Sequence, residues 1–387
     1  MALRSGIEFQ DKYGISMNIL LLNWRDPWHP AAGGAEIVTL GHVKRWITAG
    51  RSVTWVTGGY WEQKKKKEVV DGVTYIRFGG SLTVHLIVPL YLIFRSWKYD
   101  VVVDEVHGIP FFAPLFTRKP VIAFIHEVAD EIWNYMYGWP VSFVGKILER
   151  FALRFYKKCL IWTDAQSTID ELVSLGIPRE QCTAIPCPIS TEERMLVKKR
   201  KENKPTFLFV SRVVRMKGIE EVIKAFSFIA KERKDAKLWI VGGGETEYMN
   251  QLQSMIEEYG IGNSVVFFGK VSEDKKMDLM SRAHILLHAS VREGWGLVVL
   301  EAASVGTPAV VYNVPGLRDV VKDGMTGIVL KDNSPIDLAK AALKLFADKQ
   351  KYPLLQTGGK KWIDSLKWKT AAHESEGLLH KAVVHPV

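Results

Sequence analysis

The feature that most constrains the fold is a repeated alternation of short apolar runs, glycine turns and helical segments. In the first half, the apolar run Met17–Leu22 is followed by Gly33-Gly34, a helical pattern and a second apolar run, Val53–Thr57. A strand, a turn, a helix and another strand form a parallel βαβ unit. The same alternation restarts at Thr206–Val210. The chain is therefore predicted to be an α/β protein with two Rossmann-like domains.

Length and charge agree with two domains and an anionic partner. A chain of 387 residues is comfortable for two hydrophobic cores. Its net charge is +10, and residues 1–200 contribute 25 Lys+Arg against 20 Asp+Glu, or +5. Because the excess is spread over both halves, it is unlike a basic nucleic-acid arm. Anionic small substrates or an anionic membrane surface fit better, and no nucleic-acid partner is expected.

Cysteine usage and the absence of a long apolar segment indicate a cytoplasmic protein. Cys159, Cys182 and Cys187 lack the C-x-x-C spacing, and a disulfide framework is not expected. Residues 1–16 are polar and show no apolar core of a signal peptide. The most apolar window, Leu82–Phe94, has 13 residues and is too short to span a bilayer.

The segment Arg292–Thr307 (REGWGLVVLEAASVGT) carries the strongest functional signal. It follows a predicted strand, His284–Ala289, and contains a glycine-rich turn that opens a helix at Leu297. Glycines permit a tight turn and a close ligand approach, and a helix N-terminus favours negative charge. Glu293 lies in the turn and Glu301 about two helical turns further on, so both could accept hydrogen bonds from ligand hydroxyls. This chemistry suits a sugar attached to phosphate.

Two cations follow the first strand of the second half. Arg212 and Lys217 form an R-x-x-x-x-K pair directly before a predicted helix. No two aspartates are two residues apart, so an Asp-x-Asp motif that could hold a metal ion is missing. Fixed cations and a helix end can stabilise a leaving diphosphate in place of a divalent ion.

In the first half, polar residues stand at predicted strand ends. Asp104 and Glu105 follow Val101–Val103, and His126 follows Val121–Ile125. Ligands of doubly wound sheets bind beyond the carboxyl ends of the strands. His126 is therefore the preferred candidate, with Asp104 and Glu105 behind it.

Two basic segments have alternative interpretations. Lys64–Lys67 is interpreted as a solvated loop, with a membrane-facing patch as the alternative. Apolar residues recur at helical spacing between Val144 and Phe155, with basic residues on the other side. This pattern is typical of a helix that packs on a core, which is the favoured interpretation. A helix lying on an anionic membrane is the alternative.

The motifs around Glu293 and Glu301, with Gly-Trp-Gly-Leu between and Gly-Thr-Pro after them, resemble the donor site of retaining glycosyltransferases of family four. The resemblance implies the GT-B architecture, with two Rossmann-like domains facing a central cleft and a last helix crossing back to the first domain. The expected organisation is an extension at 1–16, an acceptor-binding domain at 17–190, a linker at 191–205, a donor-binding domain at 206–367 and the returning helix at 368–387.

The resemblance also implies roles for individual residues. Arg212 and Lys217 would clamp the diphosphate, Glu293 would bind the donor sugar and Glu301 the ribose. His126 would hydrogen-bond the transferred sugar, and the base would lie near the Gly242–Gly244 turn. The candidate site residues are His126, Arg212, Lys217 and Glu293 for catalysis and Gly33, Gly34, Gly243, Lys270, Val271, Gly294, Trp295, Gly296, Leu297 and Glu301 for donor binding, without metal ligands.

The implied activity is retaining, metal-independent transfer from a UDP- or GDP-sugar to a glycan, lipid-linked or other hydroxyl acceptor, with no cofactor. A sugar phosphorylase or sugar-nucleotide epimerase of the same architecture is the alternative, followed by a non-catalytic sugar-nucleotide binder. The basic surface adds a possible peripheral contact with the cytoplasmic face of an anionic membrane.

Overall fold

The computed structural model describes residues 16–63, 65–189 and 200–385. Apart from Ser16, the predicted N-terminal extension lies outside the described residues. Lys64 and residues 191–199 of the predicted linker also lie outside them.

The strands belong to two sheets, both almost wholly parallel. Predicted strands such as Met17–Leu22, Val53–Thr57 and Thr206–Val210 are confirmed within a residue or two. The strands are β1 (Asn18–Leu22), β2 (Ser52–Gly58), β3 (Lys67–Val70), β4 (Val73–Phe78), β5 (Val101–Val106), β6 (Val121–Ile125), β7 (Leu160–Thr163), β8 (Cys182–Ala184), β9 (Thr206–Val210), β10 (Lys237–Val241), β11 (Val265–Gly269), β12 (Ile285–His288), β13 (Ala309–Val311) and β14 (Gly327–Val329).

Helices alternate with these strands along the chain. The helix predicted to open at Leu297 does so, while the sequence patterns missed several others between the motifs. The helices are α1 (Gly34–Thr48), α2 (Val84–Arg95), α3 (Ala113–Phe116), α4 (Ile132–Met136), α5 (Val141–Leu153), α6 (Gln166–Ser174), α7 (Ile219–Glu232), α8 (Thr246–Glu258), α9 (Glu273–Arg282), α10 (Leu297–Ser304), α11 (Leu317–Val320), α12 (Pro335–Ala347), α13 (Lys351–Ser365) and α14 (Trp368–Val384).

The first of two compact units comprises the chain up to Val128, Val144–Pro186 and the segment from Trp368. Its eight-stranded sheet has the order β3-β4-β2-β1-β5-β6-β7-β8, and only β3 is antiparallel to its neighbour. The central strands are buried on both faces, which explains their continuous apolar runs. The order reverses direction at β1, so the loops after β1 and β5 flank a topological switch point.

The second unit comprises Ala129–Phe143 and Cys187–Lys367. Its sheet has the order β11-β10-β9-β12-β13-β14, with every pair parallel. This is the Rossmann order, with its switch point between β9 and β12. Gly218 adopts a left-handed conformation (φ 69°) and opens α7, whose residues Ile219, Val222, Ile223 and Phe226 pack into the core at helical spacing.

Helix α14 packs in the first unit, as the predicted fold class required. The hydroxyl of Ser375 lies 3.0 Å from Nδ1 of His42 and accepts a hydrogen bond from Nε1 of Trp46 at 3.0 Å. The indole of Trp368 lies against Gly41, where a β-carbon would come within 2.1 Å of the ring. The guanidinium of Arg45 lies over the same ring at 4.0 Å. The C-terminal residues therefore complete the core of the first unit.

Three local predictions need correction. Asp104 and Glu105 lie inside β5 rather than after it. Lys67 belongs to β3, although the basic run was interpreted as a loop; Lys65 and Lys66 are exposed. Residues 129–143, assigned by sequence to the first domain, cluster with the second unit, where Glu131 accepts a hydrogen bond from Nε of Arg292 at 2.6 Å.

The favoured interpretation of the amphipathic stripe on α5 was also wrong. Val144, Ile147, Leu148 and Phe151 are 48–59% exposed instead of facing a core. The helix is buried through other positions, among them Gly145, Ala152 and Leu153. The inward face of the helix is therefore not the one that carries the Val144–Phe151 stripe.

No helix within residues 16–63, 65–189 and 200–385 combines the length and apolar character needed to cross a bilayer.

Candidate active site

The candidate site of the second unit lies at the switch point between β9 and β12. The loops that leave these strands pack backbone against backbone, because a β-carbon at Gly218 would lie 1.9 Å from the carbonyl oxygen of Ala289. Gly316 (φ 77°) similarly packs against the carbonyl of Glu293, where a β-carbon would come within 2.0 Å. Both glycines are required by a positive φ and by contact with a neighbouring backbone. These contacts position Lys217 against Glu293.

Glu293 is held by three donors. Its Oε1 lies 2.7 Å from Nζ of Lys217, 2.8 Å from Oγ of Ser290 and 3.0 Å from Nε2 of His288. Burial opposes ionisation, but the Lys217 ammonium and the His288 hydrogen bond outweigh it and hold the pKa of Glu293 well below its usual range. Glu293 is therefore an ionised acceptor, and Lys217 a cation at fixed position.

Arg212 differs from Lys217 in its surroundings. It is exposed in the loop after β9, and among the residues that the structure describes its guanidinium forms no ion pair. The predicted clamp thus consists of one lysine paired with a carboxylate and one arginine open to solvent, both on the loop that precedes α7. An exposed guanidinium is available for bidentate hydrogen bonds to phosphate.

The N-terminus of α10 follows Glu293 in the same loop. Gly296 is left-handed (φ 84°) and opens the helix at Leu297. The first amides of a helix have no intrahelical acceptor, so those of Leu297 and its neighbours can face an anion. Trp295 lies between Gly294 and Gly296, but its side chain is buried and donates from Nε1 to the carbonyl of Cys187 at 2.9 Å. Trp295 therefore holds the loop in place through its hydrogen bond to Cys187, and its buried indole does not face a ligand.

Glu301 lies on α10 and is largely buried. Its Oε2 forms an ion pair with Nζ of Lys276 at 2.8 Å, and the same ammonium lies 2.9 Å from Glu273. The predicted ribose acceptor is thus paired with a lysine of α9 in this structure. A ribose hydroxyl would have to share or replace that contact.

The predicted border of the base lies at the ends of β10 and β11. Gly243 and Lys270 are exposed, and Val271 is half-buried. Gly242 (φ 135°) packs against Ser211, where a β-carbon would come within 1.7 Å of the carbonyl oxygen. The loops after β9, β10 and β11 are therefore neighbours at one edge of the sheet.

The switch point of the first unit holds a buried network of charges. Gly33 precedes Gly34 at the start of α1, and its amide donates to Oε2 of Glu36 at 2.6 Å. Arg25 pairs with Glu36 at 2.8 Å and lies 2.8 Å from Nε2 of His107. The turn residues Gly33 and Gly34 are thus anchored by a carboxylate that is itself neutralised.

His126 is bonded at both ring nitrogens. Nδ1 lies 2.5 Å from Oδ2 of Asp164, and Nε2 lies 3.2 Å from Oε1 of Glu105. Burial alone would lower its pKa, but the Asp164 and Glu105 carboxylates raise the pKa of His126 to about 10. His126 is therefore a buried imidazolium between two carboxylates. Glu105 also accepts from the Thr39 hydroxyl at 2.9 Å.

Asp104 has a different environment from Glu105. Its carboxylate accepts from the Tyr156 hydroxyl at 2.5 Å and from the amide of Ala113 at 3.1 Å. Burial raises the pKa of Asp104 to about 6, against the opposing effect of these hydrogen bonds. Asp104 therefore anchors α3 and does not present an open carboxylate.

Potential metal ligands come together at one place in the described residues, where Glu36, Glu105 and His107 bring a ligand atom each within 4.8 Å of one another. The guanidinium of Arg25 already contacts Glu36 and His107 there. This donor set is therefore neutralised by an arginine and does not fit a divalent ion without displacing it.

Several residues of these sites were missed by the sequence analysis. His288 was treated as part of an apolar strand, although it is the last residue of β12 and a polar residue at a strand end is a usable signal. Asp164 directly follows β7 and carries the same signal. Ser290 and Lys276 carry no comparable signal, because their contacts with Glu293 and Glu301 depend on side-chain direction and on how α9 packs on α10.

Two family descriptions match the chain. Glycosyltransferase Family 4 matches residues 32–193, and Glycosyl transferases group 1 matches residues 190–362. Together they span residues 32–362, almost the whole of the two described units.

Relatives and solved structures agree with these matches. An uncharacterized glycosyltransferase of Methanocaldococcus jannaschii is 26% identical over 86% of this chain and 90% of its own length. A GDP-mannose-dependent phosphatidylinositol monomannoside mannosyltransferase of Mycobacterium tuberculosis is 29% identical over 44% of this chain and 46% of its own. The structure of Anabaena HepE in complex with UDP-glucose superposes with a TM-score of 0.75, at 17% identity, covering 94% of this chain and 100% of HepE.

The two doubly wound units have the GT-B architecture of the solved structure, and the second unit places cations and the first amides of α10 at its switch point. The chain belongs to the glycosyltransferases of family four.

Proposed function

We propose that the protein is a retaining, metal-independent hexosyltransferase that takes a sugar from a UDP- or GDP-sugar and attaches it to a hydroxyl acceptor. The observation that carries the proposal is the contact between Lys217 and ionised Glu293 beside the N-terminus of α10, at the switch point of the second unit. Cation, carboxylate and free amides are the groups that a diphosphate and sugar hydroxyls require.

The leaving group sets the catalytic requirement. The bond from the anomeric carbon to the diphosphate oxygen breaks, so negative charge grows on that oxygen. Lys217, Arg212 and the first amides of α10 would stabilise this charge. The acceptor oxygen forms its bond on the face from which the diphosphate departs, and a phosphate oxygen takes the acceptor proton. Configuration is then retained without a covalent enzyme intermediate.

Glu293 and Glu301 would orient the donor. Glu293 accepts hydrogen bonds from hydroxyls of the sugar because its carboxylate stays ionised. Its pairing with Lys217 keeps both groups at fixed positions before the donor arrives, which reduces reorganisation during the reaction. Glu301 takes the ribose hydroxyls in place of part of its contact with Lys276.

For His126 to contact the transferred sugar, one of its two hydrogen bonds to carboxylates would have to be replaced. Its contact with Glu105 is longer, 3.2 Å against 2.5 Å for Asp164. A sugar hydroxyl would therefore replace Glu105 at Nε2, while Asp164 keeps the ring oriented.

Metal independence is supported by the chain's own cations. The Asp-x-Asp motif is absent from the sequence, and Arg25 neutralises the described group of potential metal ligands. We accordingly propose that the transfer needs no cofactor, because the proposed clamp would supply the charge that a divalent ion would otherwise provide.

The comparisons leave the donor base open and favour a hexose. HepE is crystallised with UDP-glucose, whereas the mycobacterial relative uses GDP-mannose and acts on a phosphatidylinositol mannoside. By analogy, the acceptor of this chain is a glycan or a lipid-linked hydroxyl. We further propose peripheral contact with an anionic membrane on its cytoplasmic face, consistent with the net charge of +10.

The binding test is a thermal-shift screen of the full chain with UDP, GDP, ADP and their sugars. A cognate nucleotide raises the melting temperature because it binds the native state. Lys217→Ala and Glu293→Gln should reduce that shift, whereas Lys224→Ala, on the exposed side of α7, should leave it unchanged. Equal shifts in all variants would contradict the assigned donor site.

The activity test follows transfer from the cognate donor to an acceptor library. Lys217→Ala or Glu293→Gln is expected to lower the transfer rate by about 10²–10³-fold. EDTA should not change the transfer rate of the wild type. A strict manganese requirement would contradict metal independence. Donor turnover without acceptor would indicate an epimerase, phosphate-dependent glycoside cleavage a phosphorylase, and binding without turnover a non-catalytic binder.

A further inference from the structure

Helix α2 exposes a continuous apolar stripe. Leu86, Leu90, Ile93 and Phe94, with Leu82 before the helix and Trp97 after it, are 54–76% exposed. The spacing places them along one side, while the opposite side is buried through Val84, Val88 and Leu92. An apolar stripe of this length on the outer surface is unusual for a protein surrounded only by water.

The exposed apolar stripe of α5 belongs to the same unit. Val144, Ile147, Leu148 and Phe151 recur at positions i, i+3, i+4 and i+7. Together with α2 they form a second row of large side chains without a core to cover them.

Helix α3 connects the two stripes. It packs against α2 and against the helical turn Arg154–Tyr156 that follows α5. Its Leu115 is 54% exposed. The ring of Phe155 contacts Phe151 and Phe112, with centroids 5.4 Å and 5.8 Å apart. We name α2, α3 and α5, with these exposed side chains, the apolar face.

A cationic groove borders the apolar face. The groove has a volume of about 580 Å³, and Leu115 and Phe155 line it together with the cations. No acidic residue lines it. Across the described ranges, none of the five cations pairs with a carboxylate. The cations are Arg118, Lys119, Arg154, Lys157 and Lys158.

We propose that the apolar face and the cationic groove together dock on an anionic phospholipid bilayer. Leucine, phenylalanine and tryptophan side chains enter the interface between headgroups and acyl chains, and the groove binds headgroup phosphates. The ammonium of Lys98 lies 5.3 Å from the Trp97 ring, a pairing suited to the headgroup level.

Charge complementarity favours a bilayer over a protein partner. The interior of a protein interface is depleted of charged residues, and lysine is disfavoured across it. Here lysines and arginines cluster at the border of large apolar side chains and lack acidic neighbours in the groove. The role of this docking rests on the proposed function, because an enzyme on the bilayer would meet a lipid-linked acceptor at the membrane surface.

The experiment is co-sedimentation of the full chain with vesicles of phosphatidylcholine alone and of phosphatidylcholine mixed with phosphatidylglycerol, at low and high salt. The wild-type chain should bind the anionic vesicles at low salt and release at high salt. Leu86→Gln with Phe94→Gln, and separately Lys157→Gln with Lys158→Gln, should each weaken binding at least tenfold.

The matched controls lie in the second unit. Ile336→Gln with Leu354→Gln removes two exposed apolar side chains, and Lys340→Gln with Lys344→Gln removes two exposed lysines. Both should bind anionic vesicles as the wild type does. Unchanged melting temperatures of all four double variants show that folding is intact.

Three results would overturn the proposal: equal binding by all variants, equal binding to neutral and anionic vesicles, or no binding at low salt. Self-association that the Leu86→Gln, Phe94→Gln variant abolishes would instead assign the apolar face to a second copy of the chain and also overturn it. The donor-induced thermal shift is measured without vesicles, so its failure tests the proposed function separately.

Discussion

The pKa of His126 is set by its neighbours rather than by its residue type. A histidine usually titrates near neutrality, but Asp164 and Glu105 enclose this one and raise its pKa to about 10 against the effect of burial. A group whose pKa is raised in the folded state stabilises most below its unfolded pKa of 6.5. That contribution is lost as pH rises toward 10.

Because the pKa of His126 is raised in the folded state, the loss of stability caused by His126→Gln should be largest at low pH. At pH 6 the substitution leaves two buried carboxylates unpaired, and we expect a loss of about 3–5 kcal/mol in the free energy of unfolding. Between pH 6.5 and 10 the difference between wild type and variant should shrink, with a slope of up to about 1.4 kcal/mol per pH unit. Urea unfolding across this range measures it.

His373→Gln, an exposed substitution on α14, is the matched control and should show no such trend. A difference between wild type and His126→Gln that stays constant from pH 6.5 to 10 would contradict the buried imidazolium.

The charged residues of the candidate site in the second unit could be identified from the sequence, but not all of their partners could. Arg212, Lys217 and Glu293 stand in motifs whose spacing after a strand could be found in the sequence. Of the partners of Glu293, His288 could have been found from its place at the end of β12, whereas Ser290 reaches Glu293 only through the path of the β12–α10 loop. Likewise, the pairing of Glu301 with Lys276 depends on how α9 packs on α10.

At the scale of elements, α1 and α14 meet through a glycine and a tryptophan. A β-carbon at Gly41 would lie 2.1 Å from the Trp368 indole, so Gly41→Ala forces the ring to move. We expect a loss of about 1–3 kcal/mol in the free energy of unfolding. Denaturant unfolding followed by tryptophan fluorescence measures the change.

The control for Gly41→Ala is Gly377→Ala in the middle of α14. A β-carbon at Gly377 meets open space, and alanine is the better helix former. This variant should gain up to about 1 kcal/mol. If both substitutions shifted stability in the same direction, the proposed contact between Gly41 and Trp368 would be refuted.

Helix α5 shows why an amphipathic pattern is not sufficient to orient an element. Its apolar stripe predicted a face against the core, yet Gly145, Ala152 and Leu153 are buried instead. Hydrophobic periodicity identifies the helix and the two faces but not which face the neighbouring elements cover. That choice depends on how the helix is placed beside the sheet, which the periodicity does not describe.

For the whole molecule, the fold makes the first unit depend on the end of the chain. Strands β1–β8 and helix α14 belong to one unit, although the whole second sheet intervenes in sequence. Buried residues of α14 include Ala371, Leu378 and Leu379. Loss of this helix therefore uncovers the core face of α1.

Truncation after Lys367 tests this dependence. The buried amides of α1 should lose hydrogen-exchange protection, while those of α7 in the second unit should keep it. Exchange followed by mass spectrometry of peptides from both helices distinguishes the two. Unchanged protection of α1 would show that α14 is dispensable for the first unit.

The two parallel sheets, the glycine turns and the motifs that contain Lys217, Glu293 and Glu301 could all be predicted from the amino-acid sequence. These follow from local rules: apolar runs form buried strands, glycine permits left-handed turns, and helices begin where free amides can meet an anion. The family resemblance rested on the same local motifs, and the comparisons confirmed the family.

Which charged side chains come into contact depends on how the strands and loops are arranged in space. His126 became an imidazolium because β5, β6 and the end of β7 bring Glu105 and Asp164 to its two ring nitrogens. The apolar face exists because α2 and α5 carry large apolar side chains on their exposed sides as well as on their buried sides. Electrostatic pairing and burial depend on distances across the fold, and no local pattern in the chain encodes those distances.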